Sequence, residues 1–303
     1  MKKTDKIVVL MGGMSSERDI SLQSGQSVVQ ALSDAGYHVT GVDLTEDIDA
    51  FIRQLKHLKP DVVFNALHGK YGEDGSIQGL LNLMNIPYTH SGVLASALGM
   101  DKRLTKRIVK SLGIFVADEL FVSKKEIESG HELKMPYVVK PNDEGSSVGL
   151  FIVKSDKDRA QMLKKWPFGN KRVLMEAYIP GRELSVAVLN GQAVGTVEIT
   201  TDTGVYDYKN KYQSSATKHL VPAPLNEKTD RLVRQQAEYI HRVLGCRGVS
   251  RSDFRLNGDK LFFLEVNTSP GMTDKSLVPD MAQCQNMSYL DVILALLKEA
   301  TCD

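Results

Sequence analysis

Lys260-Leu261-Phe262-Phe263-Leu264-Glu265-Val266-Asn267-Thr268-Ser269-Pro270-Gly271 decides how the rest of the chain is read. It is a run of strand-forming residues that ends in an acid, an amide and a Pro-Gly turn. Alternate side chains of a strand share a face, which sets Glu265 and Asn267 together, with Phe263 on the same side. The apolar run at 249–256 precedes it, and Asn257-Gly258 between the two is a hairpin signal. Closing that hairpin carries Asp253 opposite the acidic strand, with Arg251 two residues away on Asp253's face. Oxygen-only donors of this kind suit a hard cation, Mg²⁺ or Mn²⁺, that also carries phosphate oxygens. The same residues equally describe a half-buried hairpin with a polar rim, so the remainder of the chain has to decide.

At 303 residues the chain exceeds what one core usually supports, and two or three units around a shared cleft are expected. Thirty-eight basic and 37 acidic residues leave a net charge of +1, which argues against a dedicated nucleic-acid or anionic-membrane protein. Cys246, Cys284 and Cys302 lack the spacing of a zinc site or disulfide framework and read as reduced thiols of a cytoplasmic protein. The apolar run at 7–11 is too short for a signal peptide, and no stretch approaches the roughly 20 residues that span a bilayer.

Outward from the hairpin, residues 7–11 read as a buried parallel strand ending in Gly12-Gly13, followed by a helix over 20–35. Further strands at 39–42 and 61–65, with a helix at 48–58 between them, make an open α/β unit whose ligand edge lies at the strand C-termini. Helical patterns follow at 75–85 and at 95–112, where Asp101 to Lys106 begins a basic helix. Short strands at 136–141, 149–153 and 172–176 predict a small antiparallel sheet. Strands from 183 to 199, a helix at 227–244, the acidic hairpin and a closing helix at 289–300 complete the chain. The units are expected at 1–100, 101–180 and 181–303.

Four further segments carry chemistry. Lys140 ends a strand and opens a loop, Pro141-Asn142-Asp143-Glu144-Gly145-Ser146-Ser147-Val148-Gly149, whose small residues let backbone N–H groups approach a phosphate. Glu176-Ala177-Tyr178-Ile179, with Glu183 beyond, offers apolar walls, backbone groups for a base edge and carboxylates for ribose; alone, the two acids also read as solvated strand-end residues. Residues 203–215, long and tyrosine-rich, fit either a mobile lid or a packed surface loop. His68 follows a buried strand, which puts it at the ligand edge of the first unit, as a catalyst or as a structural residue.

Taken in order, Met11 to Arg18, Leu67-His68-Gly69, Met100-Asp101-Lys102, the loop after Lys140, Tyr206-Asp207-Tyr208 with Lys211-Tyr212, Arg251-Ser252-Asp253, Glu265 to Thr273 and Ser276 to Pro279 closely resemble the D-alanine:D-alanine ligases, ATP-grasp carboxylate-amine ligases. The resemblance implies an α/β protein, α+β in its ATP-binding half, in which an ATP-grasp fold follows an N-terminal open parallel α/β domain. It implies ATP clasped between two sheets, with two Mg²⁺ (or Mn²⁺) ions on Asp253, Glu265 and Asn267. Lys102, Lys140 and Lys211 would bind phosphates, and Arg251 the transferred phosphoryl group. Glu176, the backbone of Ala177, Tyr178 and Ile179, and Glu183 would hold adenosine. Glu17 would pair with the amino group of the first D-alanine and connect through Ser146 to Tyr212, with His68 beside it. Ser276 and Leu277 would receive the carboxylate of the second D-alanine, and the Gly271 N–H would face the oxyanion with Arg251. A homodimer contacting through the first domain is also implied; stimulation by K⁺ is left open.

Lys275 and the segment 283–287 depart from the commoner family pattern, at positions not expected to touch reacting atoms. Sister ligases that take D-lactate lack the Lys-Tyr pair seen here at 211–212, whereas a D-serine acceptor differs by one hydroxyl and is harder to separate. A non-catalytic nucleotide-binding protein predicts a damaged metal hairpin, and a metal-dependent phosphatase leaves the lysines unexplained.

Overall fold

The computed structural model describes residues 2–130, 133–145, 149–201, 217–274 and 276–303. Three sheets organise them. In the first, β1 (Lys6–Gly12) lies between β2 (His38–Leu44) and β3 (Val62–Asn65), all parallel. Every residue of β1 after Lys6 is buried, which is why its sequence is continuously apolar rather than alternating. Helices α1 (Arg18–Asp34) and α2 (Ile48–Leu58) cross between the strands. The strand C-termini release the loops at 13–17 and 66–75 toward one edge, as the sequence pattern requires.

Helices α3 (Ser76–Leu83), α4 (Val93–Met100) and α5 (Lys102–Ser111) follow. The helical pattern over 95–112 thus divides into α4 and α5, and α5 is the basic helix that the sequence begins at Asp101. Asp101 is extended, at φ −88° and ψ 95°, and its side chain accepts the Leu104 N–H at 2.8 Å. An aspartate that caps a new helix competes with continuation of the old one. The Lys102 and Arg103 N–H groups donate to the Asn142 carbonyl and side chain at 3.2 and 3.0 Å, so the loop after Lys140 is tied to the start of α5.

The second sheet is antiparallel, in the order β5 (Glu119–Val122), β8 (Val173–Ala177), β6 (Tyr137–Lys140), β7 (Phe151–Val153). With α6 (Lys124–Ser129) and α7 (Asp156–Lys165) it encloses its own core around Ile127, Tyr137, Val139 and Met162. The third runs β11 (Thr217–Leu220), β10 (Gln192–Thr201), β9 (Arg182–Leu189), β12 (Val249–Asn257), β13 (Lys260–Asn267), with β4 (Phe115–Val116) at its edge. Helix α8 (Glu227–Val243) buries Val233, Ala237 and Ile240 with Val186, Phe254 and Phe263 of this sheet. Helices α9 (Leu277–Gln283) and α10 (Tyr289–Lys298) belong to a core that also takes in Val9, Val28 and Leu32 of the first unit and Ala187 and Val197 of the third sheet. The first unit and the third sheet thus share one core, while the second sheet has a separate one.

The hairpin closes one residue later than its sequence suggests. Asn257 pairs with Lys260, so the loop is Gly258-Asp259, with Gly258 at φ +58°. Asp253 stands opposite the acidic strand as expected and pairs there with Glu265, but Phe254 pairs with Phe263, leaving Leu264 as an extra residue in β13. This bulge reverses the alternation. Leu261, Phe263 and Val266 enter the core, and Leu264, Glu265 and Asn267 face the cleft. The expectation that Phe263 shares the face of Glu265 is corrected accordingly: without the bulge, Glu265 would have followed Phe263 into apolar surroundings.

Candidate active site

Two cavities meet in the cleft. The larger, of about 400 Å³, lies between the strand ends of the first sheet and the acidic hairpin, and is lined by Glu17, His68, Arg251, Asn267, Gly271 and Ser276 among others. A narrower slot of about 110 Å³ lies between the second and third sheets, with Val138, Ile152, Tyr178, Ile179 and Leu264 as walls. Lys102, Glu144 and Glu265 line both.

Glu17, only 7% exposed, precedes α1 at the end of the loop after β1. An ideal Cβ at Gly69 or Gly145 would come within 3.1 or 2.7 Å of its Oε2. Gly69 also has φ +69°, so both the backbone and the carboxylate exclude a side chain there. His68 is buried; its Nδ1 lies 3.0 Å from the Ser269 carbonyl and its Nε2 3.3 Å from Ser24 Oγ. A carbonyl only accepts, so Nδ1 donates and Nε2 receives the serine hydroxyl. Burial, above all, holds this imidazole below its ordinary range despite nearby Glu17, so the ring is a neutral bridge between the first unit and the 268–272 loop.

Asp253 and Glu265 stand directly opposite each other across β12 and β13. Like charges so placed repel. Arg251 answers with a two-pronged contact to Asp253 at 2.9 and 2.8 Å, Ser185 Oγ donates to the same carboxylate at 2.5 Å, and Lys102 Nζ lies 3.5 Å from Glu265. Asn267 Oδ1 accepts the Ser269 N–H at 2.8 Å. Among the described residues no three His, Cys, Asp or Glu side chains form a dedicated metal cage. Two carboxylates and an amide oxygen fit instead a hard cation that arrives with phosphate oxygens completing its shell.

In the slot, Glu176 is 3% exposed, so its reading as a solvated strand-end residue fails. Lys140 approaches its Oε2 at 3.0 Å, and Lys106 Nζ bonds its Oε1. Burial works to raise the Glu176 carboxyl, but the two lysines outweigh it and hold the group below its ordinary range. The Ala177 and Tyr178 N–H groups, offered by the sequence to a base edge, already donate to the Asp118 and Pro136 carbonyls at 2.9 and 3.1 Å. Glu183 pairs with Arg255 at 2.8 Å. Lys102 Nζ donates to the Glu144 carbonyl at 2.6 Å, which pins the loop after Lys140 over the junction of the two cavities.

At the far end of the larger cavity, Ser276 Oγ accepts the Thr273 N–H at 3.0 Å and Leu277 begins α9. His219 of β11 lines the same wall, its Nδ1 3.7 Å from Asp280. Ser146, Lys211 and Tyr212 lie outside the described residues. The structure brings together every other sequence-predicted residue.

Three contributors went unnoticed in the sequence. Lys106 lies four residues after Lys102, a spacing that puts both on one helical face and was available as a signal. His219 follows the long loop at 203–215 and carried none. Glu73 is buried among Glu17, Lys102 and Arg251; its Oε1 accepts the Gly69 N–H at 3.0 Å, while its Oε2 is buried with no hydrogen-bond partner. Burial, reinforced by Glu17, pushes its carboxyl from 4.5 up to about 8. Between those values the folded chain holds a proton that the unfolded chain has released, so this group's contribution to stability falls as pH rises from about 4.5 through 8. In the ligand-free protein, Glu73→Gln is therefore expected to flatten the decline of Tm across that range. Parallel Tm–pH curves for variant and parent would contradict it.

A slot for a nucleotide between two sheets, opening onto an amino-acid-sized cavity across paired carboxylates and a lysine, defines an ATP-grasp carboxylate-amine ligase. The comparisons with known proteins agree. Residues 108–298 match the family model for the D-ala D-ala ligase C-terminus, and residues 6–59 and 47–91 match that for the N-terminus. A D-alanine–D-alanine ligase of Rhodospirillum rubrum is 46% identical over 299 residues, covering 98% of this chain and 99% of the relative. One of Agrobacterium fabrum is 47% identical over 305 residues, covering 98% of each. The crystal structure of the Bacillus anthracis D-alanine–D-alanine ligase complexed with ATP superposes with a TM-score of 0.84 at 31% identity, covering 98% of this chain and 96% of that one. The chain belongs to the D-alanine–D-alanine ligase family.

Proposed function

We propose that this protein joins two molecules of D-alanine into D-alanyl-D-alanine at the expense of ATP, through a D-alanyl phosphate, to supply peptidoglycan precursor synthesis. The observation that carries the reading is the junction of the two cavities at Lys102 and Glu265. A nucleotide in the slot would point its terminal phosphate at the carboxylate of an amino acid held beside Glu17.

A carboxylate is a poor acyl donor, and phosphorylation gives it a leaving group. No protein nucleophile is needed; positioning and charge neutralisation carry phosphoryl transfer. Lys102 and Lys140, with Lys211, hold the phosphates. Arg251 faces the transferred phosphoryl and, with the Gly271 N–H, the oxyanion that forms when the second amine attacks. Glu17 takes the first ammonium group, with Ser146 and Tyr212 continuing its hydrogen-bond chain, and His68 props the wall behind it. Ser276 and the Leu277 N–H receive the second carboxylate. Glu176, Glu183 and the backbone groups at 177–179 other than the Ala177 and Tyr178 N–H, which are already bonded, hold adenosine. Asp253, Glu265 and Asn267 would hold two Mg²⁺ or Mn²⁺ ions, which when bound neutralise phosphate charge.

The assignment extends to units divided near residues 100 and 180, a homodimer, a cytoplasmic location and possible tuning by K⁺. Among the described residues no helix is long and apolar enough to cross a membrane. The test is phosphate release with ATP and Mg²⁺, with products identified by mass. D-alanine alone is expected to release phosphate and yield the dipeptide, and L-alanine is not. A mixed product with D-lactate or D-serine, made in preference to the dipeptide, would assign a sister reaction. Absence of D-alanine-dependent turnover would overturn the reading.

A further inference from the structure

Behind the nucleotide slot lies a buried charge cluster that the reaction does not explain. Glu119 on β5 and Glu176 on β8 are directly paired across the second sheet. Lys106 and Lys140 both reach Glu176, one on each oxygen. Lys140 comes from the same sheet as Glu176. Lys106 comes from α5, whose Val109 is buried in the core of the third sheet, so its contact crosses from one wall of the slot to the other. It is 1% exposed. A lysine buried to that extent without a partner is costly, and here its ammonium is aimed at a single acceptor.

Apolar and charged side chains both line the slot, and Glu176 is the most buried of its acidic groups. An ionised carboxylate only accepts hydrogen bonds, and it has about four lone-pair positions. It therefore matches a purine whose 6-position donates, as the amino group of adenine does, and opposes one whose 6-position is a carbonyl. For that discrimination the carboxylate must stay ionised and fixed even when Lys140 is drawn away by phosphate. Lys106, on the opposite oxygen and not among the residues that line the slot, supplies that hold.

We infer that Lys106 is a positioning residue for Glu176 and thereby sets the preference of this enzyme for a 6-aminopurine nucleotide. The inference rests on the reading that this slot takes the base and that Glu176 reads it.

The test compares kcat/KM for ATP and for inosine triphosphate, which carries a carbonyl at that position, in the parent, Lys106→Met, Lys106→Gln and Glu176→Gln, each first checked by thermal melt. Both Lys106 variants are expected to raise the KM for ATP and to cut the ATP-to-ITP preference by about tenfold or more, with the KM for D-alanine changed by less than about twofold. A residue that only stabilised the fold would lower Tm and activity with both nucleotides and leave their ratio alone. An unchanged ratio in the Lys106 variants beside a reduced one in Glu176→Gln would overturn the role of Lys106 and keep that of Glu176. An unchanged ratio in all three would overturn the base reading itself. Should Lys106→Met not fold, Lys106→Gln, which keeps a donor of similar reach, carries the same comparison.

Discussion

Glu265→Gln is expected to lower kcat by about a thousandfold, the scale seen when one preorganised electrostatic group is removed from a site of developing charge. Glu265 lines both cavities, stands opposite Asp253 and lies beside Lys102. Replacing it removes a negative charge that a hard cation requires and takes from Lys102 its carboxylate partner where the phosphates would lie. Glutamine keeps the side chain's size and an oxygen, so the loss should appear in turnover and in the Mg²⁺ concentration needed, rather than in folding. Steady-state kinetics over a Mg²⁺ series, with a parallel thermal melt, separates the two. Near-normal kcat at saturating Mg²⁺ would remove Glu265 from the cation site.

Inserting one residue between Asp253 and Phe254 should have a larger structural effect than any single substitution near it. Leu264 is the extra residue opposite the Asp253–Phe254 step. Given a partner across the ladder, Leu264 is no longer skipped, and strict alternation continues beyond Phe263, which turns Glu265 and Asn267 toward the core and Val266 toward the cleft. An unpaired carboxylate in that core costs several kcal/mol, on the order of the whole stability of a domain. The variant is expected to lose its cooperative melt or to fold without measurable ATP turnover. Leu264→Ala retains the bulge and should keep the melt close to the parent's, with only a modest rise in the KM for ATP. An active, cooperatively folded insertion variant would show that the bulge does not place the acids.

Both expectations turn on a feature that side-chain periodicity hides. Only the opposition of Asp253 to the acidic strand, not its pairing with Glu265, was legible, because closure at Asn257-Gly258 alone sets Asp253 against Phe262. The bulge was not: Leu264 is as apolar as its neighbours, and nothing local distinguishes a strand residue that pairs from one that is skipped. The break at Asp101 was half legible, since aspartate is a good cap, but continuing apolar periodicity masked it. The split matters because it aims Lys102 and Lys106 along a new axis, with the loop at Asn142 occupying the first turn of α5. His68, Glu17 and Gly145 were each placed near a ligand edge by local pattern, yet their convergence depends on loops from two units meeting.

The chain's own order of residues determined the alternation of strands and helices, the acids, amide and lysines that suit ATP chemistry, and the family those motifs belong to. Local backbone preference and hydrophobic period carry that information, because they act over a few residues. Tertiary structure alone decided which of those polar groups are buried, paired and protonated. It turned Glu176 from a strand-end acid into the centre of a two-lysine cluster, enclosed Glu73 beside Glu17, and turned Glu265 out of the core by one unpaired residue. Desolvation and charge pairing depend on what other segments bring within a few ångströms, and no local stretch of sequence contains that distance.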